Sequence, residues 1–247
     1  MQILLISDIH GNYPALSAID SYFSDSRFDH IVNCGDSLVY APFPNEVIDW
    51  LIDKNVLSIL GNTDKKVIKL LSGKPLEKPS KTDKRIMYTH TADQLRKRCG
   101  HYLQSLGISA ELPLADPPVA HPAPQQLLGI FHGSPAKPHE FLFDTSPRRR
   151  FEELAAEYPY KAIVTGHSHT PYHIQVGSTH FINPGSVGRM FDGNPAACCA
   201  VLNVLGNQLT VRHHRVTYDI AAVTRELERQ GLPHIYQTMF MLGKKLN

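Results

Sequence analysis

Five times within its first 170 residues this chain runs through a short apolar stretch and then places a glycine beside a carboxylate, an amide or an imidazole. Residues 2–7 lead into Asp8, His10, Gly11 and Asn12. Residues 30–34 lead into Gly35-Asp36, and residues 55–60 into Gly61-Asn62-Thr63-Asp64. Residues 127–131 precede His132-Gly133, and residues 161–165 precede Gly166-His167-Ser168-His169. Continuous apolar runs of this length read as buried strands. In α/β sheets ligands gather beyond the carboxyl ends of the strands, where glycine permits tight turns and close approach of the chain. The pattern therefore predicts strand ends that converge on one site. Amphipathic stretches at 13–23 and 44–54, the second opened by Pro44, supply the crossover helices that such strands need.

The residues at the strand ends are chosen for chemistry. Singly they are weak signals: Asp8 or Asp36 could cap a helix, and His132 could be a satisfied core histidine. As an ordered set they pool Asp8, His10, Asp36, Asn62, His132, His167 and His169. Two aspartates, one asparagine and four histidines are too many ligands for one tetrahedral site. They suit two borderline transition metals that share a carboxylate.

The order Asp-x-His, Gly-Asp, Gly-Asn, lone His, Gly-His-x-His strongly resembles the calcineurin-like metallophosphoesterase superfamily. Residues 8–10, 35–36, 61–62, 132 and 166–169 carry it. The compact prokaryotic-type phosphodiesterase branch is the nearest likeness, through Asp8-Ile-His-Gly-Asn12, Gly61-Asn-Thr-Asp64, His132-Gly-Ser-Pro135 and Ile182-Asn-Pro-Gly-Ser-Val-Gly188. The resemblance implies that Asp8, His10, Asp36 and His169 hold one divalent metal. Asp36, Asn62, His132 and His167 would hold the other, with Asp36 bridging. It implies a four-layer α/β/β/α sandwich of two mixed sheets flanked by helices. This agrees with the change after residue 170 to closely spaced strands at 172–176, 179–183, 197–204 and 208–217, before a last helix at about 219–230. Ligands drawn from residues 8 to 169 predict a single domain over 1–247.

The expected activity is hydrolysis of phosphate esters, phosphodiesters first, by a hydroxide held between two cations. Asp36, Asn62 and His132 are the residues expected to act on the reacting phosphate. Manganese is the first choice of metal, with Fe, Zn, Co and Ni open. A phosphomonoesterase of another branch and a metal-binding scaffold without catalysis are the alternatives. The filled ligand set argues against the scaffold. Thr63 stands where many relatives carry the histidine that protonates the leaving oxygen, which leaves Asp64 as a fallback acid. Arg189 is a candidate substrate contact, and Arg148-Arg149-Arg150 reads as a solvated helix start. The cleft is expected to be shaped by loops at 38–45, 73–90 and 134–146.

Composition narrows the partners. With 42% hydrophobic and 19% charged residues, the chain is an ordinary globular one. A net charge of +2 gives no strong signal for nucleic acid. No apolar run is long enough to cross a membrane. Four cysteines without a paired spacing fit a reducing, cytoplasmic setting. A small phosphate-ester or nucleotide-like substrate is the expected partner, and a homo-oligomer stays open. The middle of the chain is expected to be irregular: an exposed loop at 73–85, a helix over 91–106 starting at Thr91, and a Pro-rich surface excursion over 108–126.

Overall fold

Alternation along the first strand dictates the layering. In the computed structural model, which describes residues 1–114 and 123–247, β1 (Gln2–Ile6) sends Ile3 and Leu5 to one face and Leu4 and Ile6 to the other. Successive strand residues face opposite ways, so a strand apolar at every position must be covered on both sides. β1 lies at the centre of a five-stranded sheet, parallel to β2 (His30–Asn33) and antiparallel to β9 (Ala197–Leu205). Outside these run β3 (Leu57–Ser58), next to β2, and β10 (Gln208–Val216), next to β9.

The second sheet has the order β4 (Ser109–Pro113), β5 (Leu127–Phe131), β6 (Ala162–Val164), β8 (Thr179–Asn183), β7 (Tyr172–Val176). Ile3, Leu5 and Val32 of the first sheet pack on Leu128, Ile130, Val164 and Ile182 of the second. Helices cover the outer faces. On the first sheet lie α1 (Tyr13–Tyr22), α2 (Pro44–Asp53), α3 (Asn62–Leu71), α4 (Thr82–Gln94), α5 (Lys97–Ser105), α7 (Ile220–Arg229) and α8 (His234–Leu242). On the second, α6 (Arg148–Glu157) buries Phe151 and Leu154 against Ile163 and Phe181. The α/β/β/α sandwich expected from the sequence is the architecture found.

Local chemistry explains most helix starts. The Asn12 side chain accepts a hydrogen bond from the Ala15 N–H, and Asp219 does the same for Ala222. Each satisfies an N–H that has no partner inside the helix. Pro44 takes the first position of α2, where its missing N–H costs nothing.

The middle of the chain departs from its sequence reading. The helix expected to start at Thr91 is two helices: α4 begins at Thr82, inside the expected loop, and extended backbone at Leu95 and Arg96 separates it from α5. The excursion expected over 108–126 contains β4, an edge strand antiparallel to β5. An edge position tolerates Pro113. A 3₁₀ turn follows at Pro124–Gln126, and residues 115–122 lie outside the described residues. The strand expected over 55–60 shrinks to Leu57–Ser58. Helices α3 and α8 have no counterpart in the sequence reading.

Candidate metal centre

The loops that follow β1, β2, β3, β5 and β6 meet at one edge of the sandwich. Backbone hydrogen bonds lock them together: Asp8 N–H donates to Gly35 O, His10 N–H to Asp36 O, and Gly11 N–H to Ser37 O. Gly166 N–H donates to His132 O in the same way. Asp8, His10, Asp36, His167 and His169 all have positive φ, between 51° and 66°. Such backbone costs about 1–3 kcal/mol per residue and persists only where the surroundings enforce it. Five strained residues within one side-chain cluster are hard to explain as a device for stability.

Two groups result. Asp8, His10 and His169 offer atoms within 4.8 Å of one another, and so do Asp36, His132 and His167. In the first, His10 Nδ1 faces Leu38 O at 3.3 Å and His169 Nδ1 faces Arg189 O. A carbonyl only accepts, so both Nδ1 atoms carry hydrogen and both Nε2 atoms present lone pairs. Those Nε2 atoms lie 3.2 Å apart. Asp8 Oδ1, 3.3 Å from His169 Nε2, is buried without a hydrogen-bond partner among the described residues. Three lone pairs turned on one point form a donor set that a cation satisfies.

The second group has the same arrangement of ring atoms. His132 Nδ1 lies 2.8 Å from Cys34 O, which leaves Nε2 to face Asp36 Oδ1 at 3.4 Å and Asn62 Oδ1 at 3.2 Å. Asp36 spans the two groups, since its Oδ2 lies 4.0 Å from His10 Nε2. Its Oδ1 also accepts the Thr63 N–H at 2.7 Å. A glycine backs each aspartate. A Cβ at Gly166 would stand 2.0 Å from Ser7 Oγ and 2.8 Å from Asp8 Oδ2, and one at Gly61 only 2.1 Å from Asp36 Oδ1.

Electrostatics follow from burial and crowding. Burial would raise the Asp8 carboxyl, but His169 overrides it and holds the group at about 2. Burial likewise opposes ionisation of Asp36, and His132 drives its pKa well below the usual carboxylate range. Burial and His169 push His10 down to about 3, and burial and His132 push His167 down to about 4. His132 moves the other way: burial disfavours its charge, yet the Asp36 carboxylate lifts it to about 9.

All seven residues expected as ligands meet here. Asp64 does not join them at the cleft. Fully buried, it accepts the N–H groups of Ser37 at 3.2 Å, Leu38 at 3.1 Å and Gly61 at 3.0 Å. Burial and Asp36 raise its carboxyl to about 7. Expected as a fallback acid, Asp64 here holds the β2 and β3 loops together through these three hydrogen bonds. Thr63 is committed too, its hydroxyl donating to Leu38 O at 3.0 Å. The three consecutive arginines lie on α6 in ion pairs with Glu140, Glu152 and Glu153.

Other residues take a part that the sequence did not assign them. Ser186 Oγ donates to Asp8 O at 2.7 Å, and Asn183 Nδ2 donates to Gly166 O at 2.8 Å. The Asn-Pro-Gly-Ser turn thus braces the first group. The groups open into a cleft of about 490 Å³, lined also by Tyr40, Lys66, Lys84, Phe141, Arg189 and Phe191. Residues from all three expected loops contribute to it.

Comparison with known proteins agrees with this geometry. The sequence profile of the calcineurin-like phosphoesterase superfamily domain matches residues 1–207. A metallophosphoesterase from Sphaerobacter thermophilus is 27% identical with a TM-score of 0.78, covering 98% of this chain and 99% of its own. A hypothetical protein from Pyrococcus horikoshii has the same fold, with a TM-score of 0.84 at 20% identity over 99% of both chains. The phosphodiesterase YfcE of Escherichia coli is 26% identical over 207 residues, 80% of this chain and 85% of that protein.

Proposed function

This chain belongs to the calcineurin-like phosphoesterase superfamily and is a hydrolase of phosphate esters, and from that premise we propose that it works through a binuclear metal centre and prefers phosphodiesters. The observation that carries the proposal is the Asp36 carboxylate, with one oxygen turned to His132 and the other to His10. Asp8, His10 and His169 would hold one cation. Asn62, His132 and His167 would hold the other, and Asp36 both. Bound there, two divalent cations supply positive charge to the phosphoryl oxygens and bring the pKa of a water near neutrality.

The protein's own residues do the rest. Leu38 O, Cys34 O and Arg189 O fix three imidazoles in the tautomer that faces inward. Ser7 Oγ, at 2.7 Å, and the His167 N–H, at 3.0 Å, occupy Asp8 Oδ2 and leave Oδ1 for the centre. Thr63, held on Leu38 O, supplies no proton to a leaving oxygen. The reading therefore favours leaving groups that are stable anions, such as aryl diesters, over alkyl phosphomonoesters. We take 1–247 as one catalytic unit, because donors from both sheets complete each group. Manganese is the first metal to try. Buried, unpaired Cys34, Cys99, Cys198 and Cys199 fit a reducing, cytoplasmic compartment. Among the described residues no helix is long and apolar enough to cross a membrane.

The test is reconstitution of the stripped protein with Mn, Fe, Zn, Co or Ni, followed by metal analysis and turnover of bis(4-nitrophenyl) phosphate and an alkyl phosphomonoester. About two metals per chain and faster diester cleavage are expected. Full activity in the stripped protein would sink the reading.

A further inference from the structure

The cleft is chemically lopsided. On the side of His169 lies Arg189, 7% exposed, its guanidinium 3.8 Å from the centroid of Tyr40 and also over Phe191 and Tyr236. Its side chain makes no ion pair among the described residues; its polar neighbours are the Tyr40 hydroxyl and Met239 Sδ, the latter at 3.7 Å. Aromatic faces attract a guanidinium, but a buried one without an anion remains costly. Lys66 of α3, Lys84 of α4 and Lys245 line the same wall, and none of them makes an ion pair among the described residues. Burial and then Lys245, Arg189, Lys81 and Lys66 all lower the Lys84 pKa. Asp36, which belongs to the centre, acts on Lys66, and Asp83 acts on Tyr236.

On the side of His167 the wall is aromatic. Phe141 stacks on His167 with centroids 3.9 Å apart, and Phe143 lies parallel to Phe141 at 6.2 Å. These rings are 51% and 37% exposed. Exposed rings beside a phosphate site offer a stacking platform to a planar group.

We propose that this cleft takes organic polyphosphates with an aromatic ring, nucleoside triphosphates being the simplest, with Arg189, Lys66 and Lys84 holding the phosphates beyond the reacting one and Phe141 and Phe143 supporting the ring. The proposal rests on the reading of the two groups as the hydrolytic centre. In the step it implies, the oxygen of one water bonds to phosphorus. The bond from that phosphorus to the bridging oxygen breaks, and its electron pair leaves with the departing phosphate. The protons of water pass to the phosphate products and solvent. The departing phosphate is a stable anion that lysine and arginine neutralise, so the step needs no proton from Thr63.

Two measurements test this. In the first, the metal-stripped full chain is titrated calorimetrically with the non-hydrolysable adenosine imidotriphosphate and with AMP. The triphosphate should bind at least about tenfold tighter, the worth of one charge-assisted contact. Lys66→Gln with Lys84→Gln should abolish that ratio, and these half-buried lysines can be replaced without the folding risk of Arg189→Met. In the second, the ratio of kcat/KM for ATP to that for bis(4-nitrophenyl) phosphate should fall about tenfold in the same double variant. Phe143→Leu should weaken ATP more than inorganic tripolyphosphate, which has no ring. Equal binding of AMP and the imidotriphosphate overturns the proposal, as does an unchanged substrate ratio in the double variant while the diester is cleaved. Failure of the hydrolase reading has a different signature, because no ester would then turn over with any metal.

Discussion

The two groups use the same residue types yet are built to different degrees of closure. Asp8, His10 and His169 are all buried, on backbone with positive φ at each residue, and braced from behind by Ser7, Ser186 and Asn183. In the other group His132 keeps ordinary backbone, while His167 is half-buried with its ring face under the exposed Phe141. Both groups reach the cleft, the first through His10 and His169 and the second through Asp36, Asn62 and His167. In the second, His132 carries a proton that a cation must displace. The lesson concerns rigidity: the fully buried first group is braced by Ser7, Ser186 and Asn183, while in the second group His132 has ordinary backbone and His167 is half-buried, so that group depends more on what fills it.

The largest effect should come from removing the residue that makes the two groups one. Asp36→Asn is expected to lower metal content at both positions. Turnover should fall by more than the roughly 10²–10³-fold that loss of a single electrostatic stabiliser costs. His10→Ala and His132→Ala should each leave about one metal per chain. Elemental analysis beside diester turnover would separate these outcomes, and a fully loaded Asp36→Asn protein would break the picture of a shared carboxylate.

The glycines behind the aspartates allow a subtler break, because they remove no ligand. Gly166→Ala forces Ser7 and Asp8 apart, whereas Gly61→Ala presses on Asp36. Gly166→Ala should therefore weaken one metal, and Gly61→Ala both. Loss comparable to the 10–100-fold known for residues that support ligands is expected in metal affinity. Equal weakening of one metal in both variants would show that Asp36 serves a single position.

Protons sharpen the same comparison. In the metal-free protein His132 is lifted to about 9, from an ordinary value of 6.5. Its contribution to stability is fully present below 6.5 and is lost as the pH rises through about 9. Below that upper value a cation must displace the proton, so apparent affinity at the second group should rise about tenfold per pH unit from neutrality to about 9. His10, held at about 3, has no proton to lose in that range. Affinity at the first group should therefore rise less steeply. Titration calorimetry in two buffers would count the protons released, and two identical pH profiles would contradict the assignment.

Residue types were legible in the sequence because chemistry restricts them: a cation site needs carboxylates, amides and imidazoles, and strand ends are where an α/β sheet collects them. Asp8, His10, Asp36, Asn62, His132, His167 and His169 could be named on that basis. Their division into two groups came from the family resemblance and not from spacing, while the orphaned Asp8 Oδ1 and the opposed imidazoles are three-dimensional facts with no linear signal. Asn183 and Ser186 belong to the 182–188 motif that carries the family likeness, but their bracing of Gly166 and Asp8 has no linear signal, since a brace and a turn use the same residues. Lys66, Lys84 and Phe141 were invisible for a plainer reason. Lysine and phenylalanine on helices and loops are common, and only the fold brings these to one cleft. The change to closely spaced strands after residue 170 was legible, while the order of strands in each sheet and the split of α4 from α5 were not, because Leu95-Arg96 contains no glycine or proline to mark the break.

The smallest effect is expected at Thr63, which divides two accounts of the leaving group. Were its hydroxyl to donate to a departing oxygen, Thr63→Val would slow alkyl esters most, because a strongly basic leaving group gains most from a donor. The structure gives the hydroxyl another task, donating to Leu38 O within a 2% exposed residue, while the Thr63 N–H holds Asp36 Oδ1. Valine keeps that N–H and nearly the same shape. It removes one of the two donors to the buried Leu38 carbonyl, which His10 Nδ1 also faces, and so costs about 0.5–1.5 kcal/mol of stability. The expected result is a lower Tm, with turnover of aryl and alkyl esters changed alike and by less than about twofold. A selective loss on alkyl esters at unchanged Tm would mean that the hydroxyl leaves Leu38 during turnover. Thr63 would then be a catalytic donor, and the preference for stable leaving groups would need another cause.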